Sequence, residues 1–118
     1  MNAEVTRIAE QIGKTGYFSL VWDSEDDCSA YQDVRQALEA RGIPCVTVEL
    51  DHYEVEQEVF YRNETVFYDP SRFEMTWVYY GPGYREEALR FRSEGWLRVA
   101  ADAVTENGRV YFLRKKAS

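Results

Sequence analysis

The side chains best placed to do chemistry are acids. Asp23 follows the apolar run Tyr17-Phe18-Ser19-Leu20-Val21-Trp22, and Asp51 follows Cys45-Val46-Thr47-Val48-Glu49-Leu50. Both runs have the length and composition of strands. With a helical segment between them they make a β-α-β unit, whose two strands run in the same direction. Asp23 and Asp51 then leave the sheet at one end, near Asp26, Asp27 and His52. Carboxylates gathered at strand ends suit Mg²⁺, which takes hard oxygen ligands and keeps several waters. A phosphate compound would bind through such a metal. The competing explanation is helix capping. Ser24 followed three residues later by Asp27 has the form of a capping box, and acids in a first turn complement the helix dipole. Capping is the default reading, with Asp23 and Asp51 as Mg²⁺ ligands the alternative.

Nucleophiles are scarcer. The chain has two cysteines, Cys28 and Cys45, and one histidine, His52. They lack the spacing of a zinc site. Cys45 leads into a strand, where a thiol serves as a small buried hydrophobe. Cys28 falls in a first helical turn, which lowers a thiol pKa, but the acids just before it oppose that effect. Gly81-Pro82-Gly83-Tyr84-Arg85 leads into a helix but lacks the spacing and the Lys-Ser/Thr pair of a P-loop, so it reads as an ordinary turn. No residue is assigned a catalytic role, and the balance is against an enzyme.

A third constellation mixes acids and aromatics. From 53 to 62, Tyr53, Val55, Val59 and Tyr61 alternate onto one face, and Glu54, Glu56 and Glu58 onto the other. A helix is the alternative, because Val55 and Val59 are four apart. A strand is preferred: Val59-Phe60-Tyr61 and Thr65-Val66-Phe67-Tyr68 flank Asn63-Glu64 like a hairpin. The chain carries nine Tyr, six Phe and three Trp, many of them paired on strands. Neighbouring strand residues face opposite ways, so a sheet covered on one face leaves one of each pair outside. Exposed Tyr and Trp favour protein interfaces. A sheet covered on both faces would bury them instead. Tyr53, Glu54, Glu56, Glu58, Tyr61 and Tyr68 form the candidate binding surface.

Charge sharpens this choice. Residues 1–60 hold 13 acidic and 4 basic side chains, a balance of −9, while residues 61–118 hold 8 and 10, a balance of +2. Such asymmetry marks either an electrostatic interaction face or a solvated surface. A net charge of −7 argues against wrapping a nucleic-acid backbone. The expected function is therefore a non-enzymatic, protein-binding domain for a basic partner, regulatory or inhibitory as a small immunity protein would be. The alternatives are a small Mg²⁺-dependent enzyme and a small-molecule binding module.

The elements that must position these residues follow from periodicity. Val5, Ile8, Ala9 and Ile12 mark a helix over about 3–13, and Tyr31, Val34 and Leu38 mark one that starts at Ser24 and runs to about Arg41. Met75 to Tyr80 reads as a strand, and Tyr84 to Glu94 as a helix ended by Gly95. Asn107-Gly108 predicts a tight hairpin with Val104 opposite Tyr111 and Glu106 opposite Arg109. The order suggests a single α+β domain with a ferredoxin-like split β-α-β arrangement, an inserted hairpin and a final hairpin. No internal repeat is visible in the sequence. At 118 residues the chain buries a sufficient core without a disulfide or metal. It has no apolar run near membrane-span length and no signal-peptide pattern, which predicts a cytoplasmic protein with free thiols. A weak homodimer is expected through the C-terminal hairpin or the face bearing Trp77 and Tyr79, because like charges blunt the edge near Glu54 to Glu58.

Overall fold

The computed structural model describes residues 3–26, 29–102 and 107–117. The elements in order are α1 (Ala3–Thr15), β1 (Tyr17–Asp23), α2 (Ser29–Glu39), β2 (Cys45–Val55), β3 (Glu58–Tyr68), β4 (Phe73–Tyr79), α3 (Tyr84–Ser93), β5 (Leu97–Ala101) and β6 (Arg109–Lys115). The class is α+β, as expected. The strands form two antiparallel three-stranded sheets, ordered β1-β3-β2 and β4-β6-β5, where a ferredoxin-like arrangement would have used one sheet. Each sheet comes from the same β-α-β-β connectivity, with the last strand inserted between the first two. The chain therefore repeats a topology that its sequence does not repeat.

The layers are helices, sheet, sheet, helix. One face of the first sheet packs Phe18, Leu20, Trp22 and Phe67 against Val5, Ile8 and Ile12 of α1 and Tyr31, Val34 and Leu38 of α2. The other face sends Val46, Val48, Val66 and Tyr68 toward Phe73, Met75, Ala100 and Leu113 of the second sheet. Phe67 and Tyr68 show how an adjacent aromatic pair is absorbed: one ring enters each core. A polar knot pins α2 to the first sheet. Thr65, fully buried, has its hydroxyl 2.9 Å from the Tyr31 hydroxyl and 2.8 Å from that of Thr47, and accepts the Trp22 indole N–H at 2.9 Å. Trp22 and Tyr31 stack with centroids 4.2 Å apart.

The two halves meet tightly at Gly16. Its φ of +92° ends α1, its carbonyl accepts the Asp69 N–H at 2.8 Å, and a Cβ there would lie 2.2 Å from the Phe73 ring. Only glycine fits both the backbone angle and the space.

Four expectations are corrected. Residues 59–68 are one strand, and no turn falls at Asn63-Glu64. Asn63 pairs with Trp22 and Glu49, and Glu64 pairs with Val21 and Val48 while accepting the Ser19 hydroxyl. The turn is instead Glu56-Gln57, both at positive φ, joining Val55 to Glu58. Ser24 does not start a helix: its N–H reaches the Tyr61 carbonyl at 2.9 Å and its hydroxyl accepts the Tyr61 N–H at 2.8 Å, so it extends the pairing of β1 with β3. β1 is an edge strand and leaves Val21 exposed. Finally, Tyr111 pairs with Ala100, and Asp102 donates its N–H to the Arg109 carbonyl, which are not the partners that a two-residue turn at Asn107-Gly108 would give them. β6 is paired on both sides and offers no edge for self-association. Asp27, Cys28, Val104 and Glu106, on which other expectations fall, lie outside the described residues.

Candidate protein-binding arm

β3 pairs with β1 from Arg62 to Tyr68, with Ser24 adding hydrogen bonds at Tyr61, whereas its pairing with β2 runs from Glu58 to Phe67. The hairpin formed by β2 and β3 therefore continues past the end of β1 as a two-stranded arm. Its register joins Val55 to Glu58, Glu54 to Val59, Tyr53 to Phe60 and His52 to Tyr61. A bulge between Glu49 and Asp51 marks its root. Bulges add local twist to a strand.

A two-residue turn pairs odd positions of β2 with even positions of β3. One face of the arm thus carries Tyr53, Val55, Glu58 and Phe60, and the other carries His52, Glu54, Val59 and Tyr61. This differs from the expected sorting, in which all the glutamates shared a face. Each face instead mixes a glutamate with apolar and aromatic groups. Val55, Val59 and Tyr61 are 41%, 46% and 44% exposed, beside exposed Glu54, Glu56 and Glu58. His52 is exposed, 3.8 Å from the Glu49 carboxylate, with its ring 6.1 Å from that of Tyr61.

The root of the arm is held by the loop after β1. The Tyr53 hydroxyl donates to Asp23 at 2.8 Å and approaches Glu25 at 2.6 Å. The hydrogen-bonding contact with the Glu25 carboxylate, then partial desolvation, then the contact with Asp23 push the Tyr53 phenol well above its ordinary pKa. Tyr53 also packs its ring 5.8 Å from that of Phe60. Tyr53 is thereby a brace of the arm.

Of the six expected contact residues, five belong to the arm: Tyr53, Glu54, Glu56, Glu58 and Tyr61. Tyr68 lies at the opposite end of β3, packed between the sheets against the core. Asp23 and Asp51 do come to one end of the first sheet, as the β-α-β reading predicts. Both stand opposite Arg62 on either side of β3. Strand spacing then separates their backbones by roughly 10 Å. Asp51 pairs with the Arg62 guanidinium at 2.8 Å, and Asp23 holds the Tyr53 hydroxyl and the Glu25 N–H. Among the described residues, no three His, Cys, Asp or Glu side chains are grouped so as to hold a metal ion.

Elsewhere, the Trp77–Tyr79 face is exposed, with the Arg109 guanidinium 4.1 Å above the Trp77 ring. Cys45 is half-buried, and burial raises its thiol pKa. No helix among the described residues is long and apolar enough to cross a membrane. Compared with protein-family models, curated proteins and solved structures, the chain has no significant match.

Proposed function

We propose that the protein is a non-enzymatic binding domain whose β2–β3 arm docks a basic protein, in a regulatory or inhibitory role. The observation that carries this reading is the arm itself. A two-stranded hairpin without further support is marginal in water. This one projects past β1 with Val55, Val59 and Tyr61 open to solvent and three glutamates around them. Apolar contacts supply affinity once buried, and the glutamates steer a cationic surface toward the tip. The brace of Tyr53 on Asp23 and Glu25 holds the arm in one pose, which lowers the ordering cost of binding.

The test is capture of partners from the native source with the wild-type chain and with the triple variant Glu54→Lys, Glu56→Lys, Glu58→Lys. The reading expects a basic protein retained by the wild type and lost by the variant. A partner held equally by both would remove the arm as the contact surface.

A further inference from the structure

The second sheet carries a cleft of a different character. Helix α3 lies over β5 and β6, and between them opens a cavity of about 500 Å³. Its apolar lining comes from Ala88 and Leu89 of α3, Trp96, Leu97 and Phe112. Leu89 and Leu97 are 59% and 49% exposed, so the cleft leaves apolar surface facing water. Three cations, Arg85, Arg92 and Arg98, line the same cavity.

The distribution of charge around α3 gives this cleft its chemistry. Arg90 points to the other side of the helix, where Glu87 and Glu94 hold it at 2.8 and 3.2 Å. Among the described residues, Arg85, Arg92 and Arg98 make no ion pair. Arg85 and Arg92 are seven positions apart on one helical stripe, about 10.5 Å along the axis, with Ala88 and Leu89 between them. In a protein of net charge −7, three uncompensated arginines around an apolar floor are a local inversion of sign. Guanidinium groups match carboxylate geometry and tolerate partial desolvation better than ammonium groups.

We propose that this cleft is a binding site for a small amphipathic carboxylate, with its apolar body against Leu89, Trp96 and Phe112 and its anionic head among Arg85, Arg92 and Arg98. The volume falls within the range of small-molecule sites, and an apolar lining with a few charged groups at its rim is their pattern as well. The site is separate from the arm and stands whether or not the arm binds a protein.

Sodium octanoate titrated into the isotope-labelled full chain tests this, with 1-octanol as the uncharged counterpart. The expected result is saturable one-to-one binding, with amide shifts confined to residues 84–98 and the neighbourhood of Phe112. Octanoate should bind roughly tenfold more tightly than octanol, the equivalent of ~1.4 kcal/mol. The double variant Arg85→Gln, Arg92→Gln changes only exposed groups and should reduce that preference severalfold while leaving octanol binding and thermal stability unchanged. Leu89→Asp should weaken both ligands. Equal affinity for the two ligands, or shifts elsewhere in the chain, would overturn the proposal. So would groove resonances that move on simple concentration of the protein together with those of 54–58, since the occupant would then be the acidic arm of a second copy. Arginine-dependent capture by phosphatidylglycerol vesicles without octanoate binding would also overturn it, in favour of a membrane surface.

Discussion

The protein builds one β-α-β-β topology twice and uses it in opposite ways. In the first unit, α2 buries Tyr31, Val34 and Leu38 and is joined by α1, so the helical layer closes the core. In the second, α3 has no buried residue; its packing rests on Phe91, which lies 5.1 Å from the Phe112 ring and 5.8 Å from Trp96. The sheets differ in the complementary sense. The first extends its β2–β3 hairpin past β1, whereas among the described residues the pairings of β4 and β5 with β6 reach Arg109 and Val110 alike. One unit thus has a closed helix face and a projecting arm, and the other a compact sheet and an open helix face. Connectivity fixes which strands are neighbours. The number and placement of apolar side chains fix which faces are sealed and which remain available.

The contrast between the helices breaks most clearly by truncation. Leu38→Ala empties a fully buried site and should cost ~2–5 kcal/mol. Leu89→Ala, on the open helix, should stay within about 0.5 kcal/mol of wild type. Urea unfolding of the two variants makes the comparison, and equal costs would mean that α3 is as closely packed as α2.

The polar knot under α2 has no counterpart under α3 among the described residues. Thr65→Val keeps the shape but leaves the Trp22 indole N–H without its acceptor, and should cost about 1–3 kcal/mol. Unchanged stability would show that the knot contributes nothing beyond packing.

The turn of the arm gives an effect of the opposite sign. Glu56 and Gln57 hold φ of 51° and 70°, the left-handed region in which asparagine and glycine are at ease. Glu56→Asn with Gln57→Gly should raise stability by about 1 kcal/mol, read from the midpoint of the same unfolding curve. A loss of stability would mean that the Glu56 and Gln57 side chains support the arm.

The smallest effect concerns the brace. A raised Tyr53 pKa means that the neutral phenol is favoured in the folded state. Its contribution to the arm is complete below the ordinary phenol pKa near about 10 and is lost as pH climbs through the raised value. A carbon-13 titration of the tyrosines should show Tyr53 ionising later than an ordinary phenol, and later than in the variant Glu25→Gln. Ionisation at the ordinary value would break the brace as described.

Much of the fold was legible because local signals agreed with tertiary needs. Val5, Ile8 and Ile12, or Tyr31, Val34 and Leu38, have helical spacing and all are buried. The β2–β3 hairpin was harder because its turn chemistry misleads. Asn63 has turn propensity but sits in mid-strand, where pairing on both sides overrides it, while Glu56 and Gln57 have no turn signature at all. Moving the turn by seven residues changed which glutamate shares a face with which valine, although the residues assigned to the arm were largely the same. Tyr68 was grouped with them by composition, and distance along β3 removes it. The arginine cleft is not legible in the sequence because it depends on how loosely α3 packs. The available signal was Arg85 and Arg92 flanking Ala88-Leu89 on one helical stripe, with the acids on the other.

On the proposed function, the acidic arm steers and holds a basic protein. Its most direct test is the association rate with the captured partner between about 0.05 and 0.5 M salt, a range over which the screening length shrinks about threefold. Wild type should associate fast at low salt and slow steeply as salt rises. The triple variant Glu54→Lys, Glu56→Lys, Glu58→Lys should associate slowly at low salt and gain rate as screening grows. Identical rates and salt slopes for the two proteins would mean that the arm's glutamates do not steer the partner.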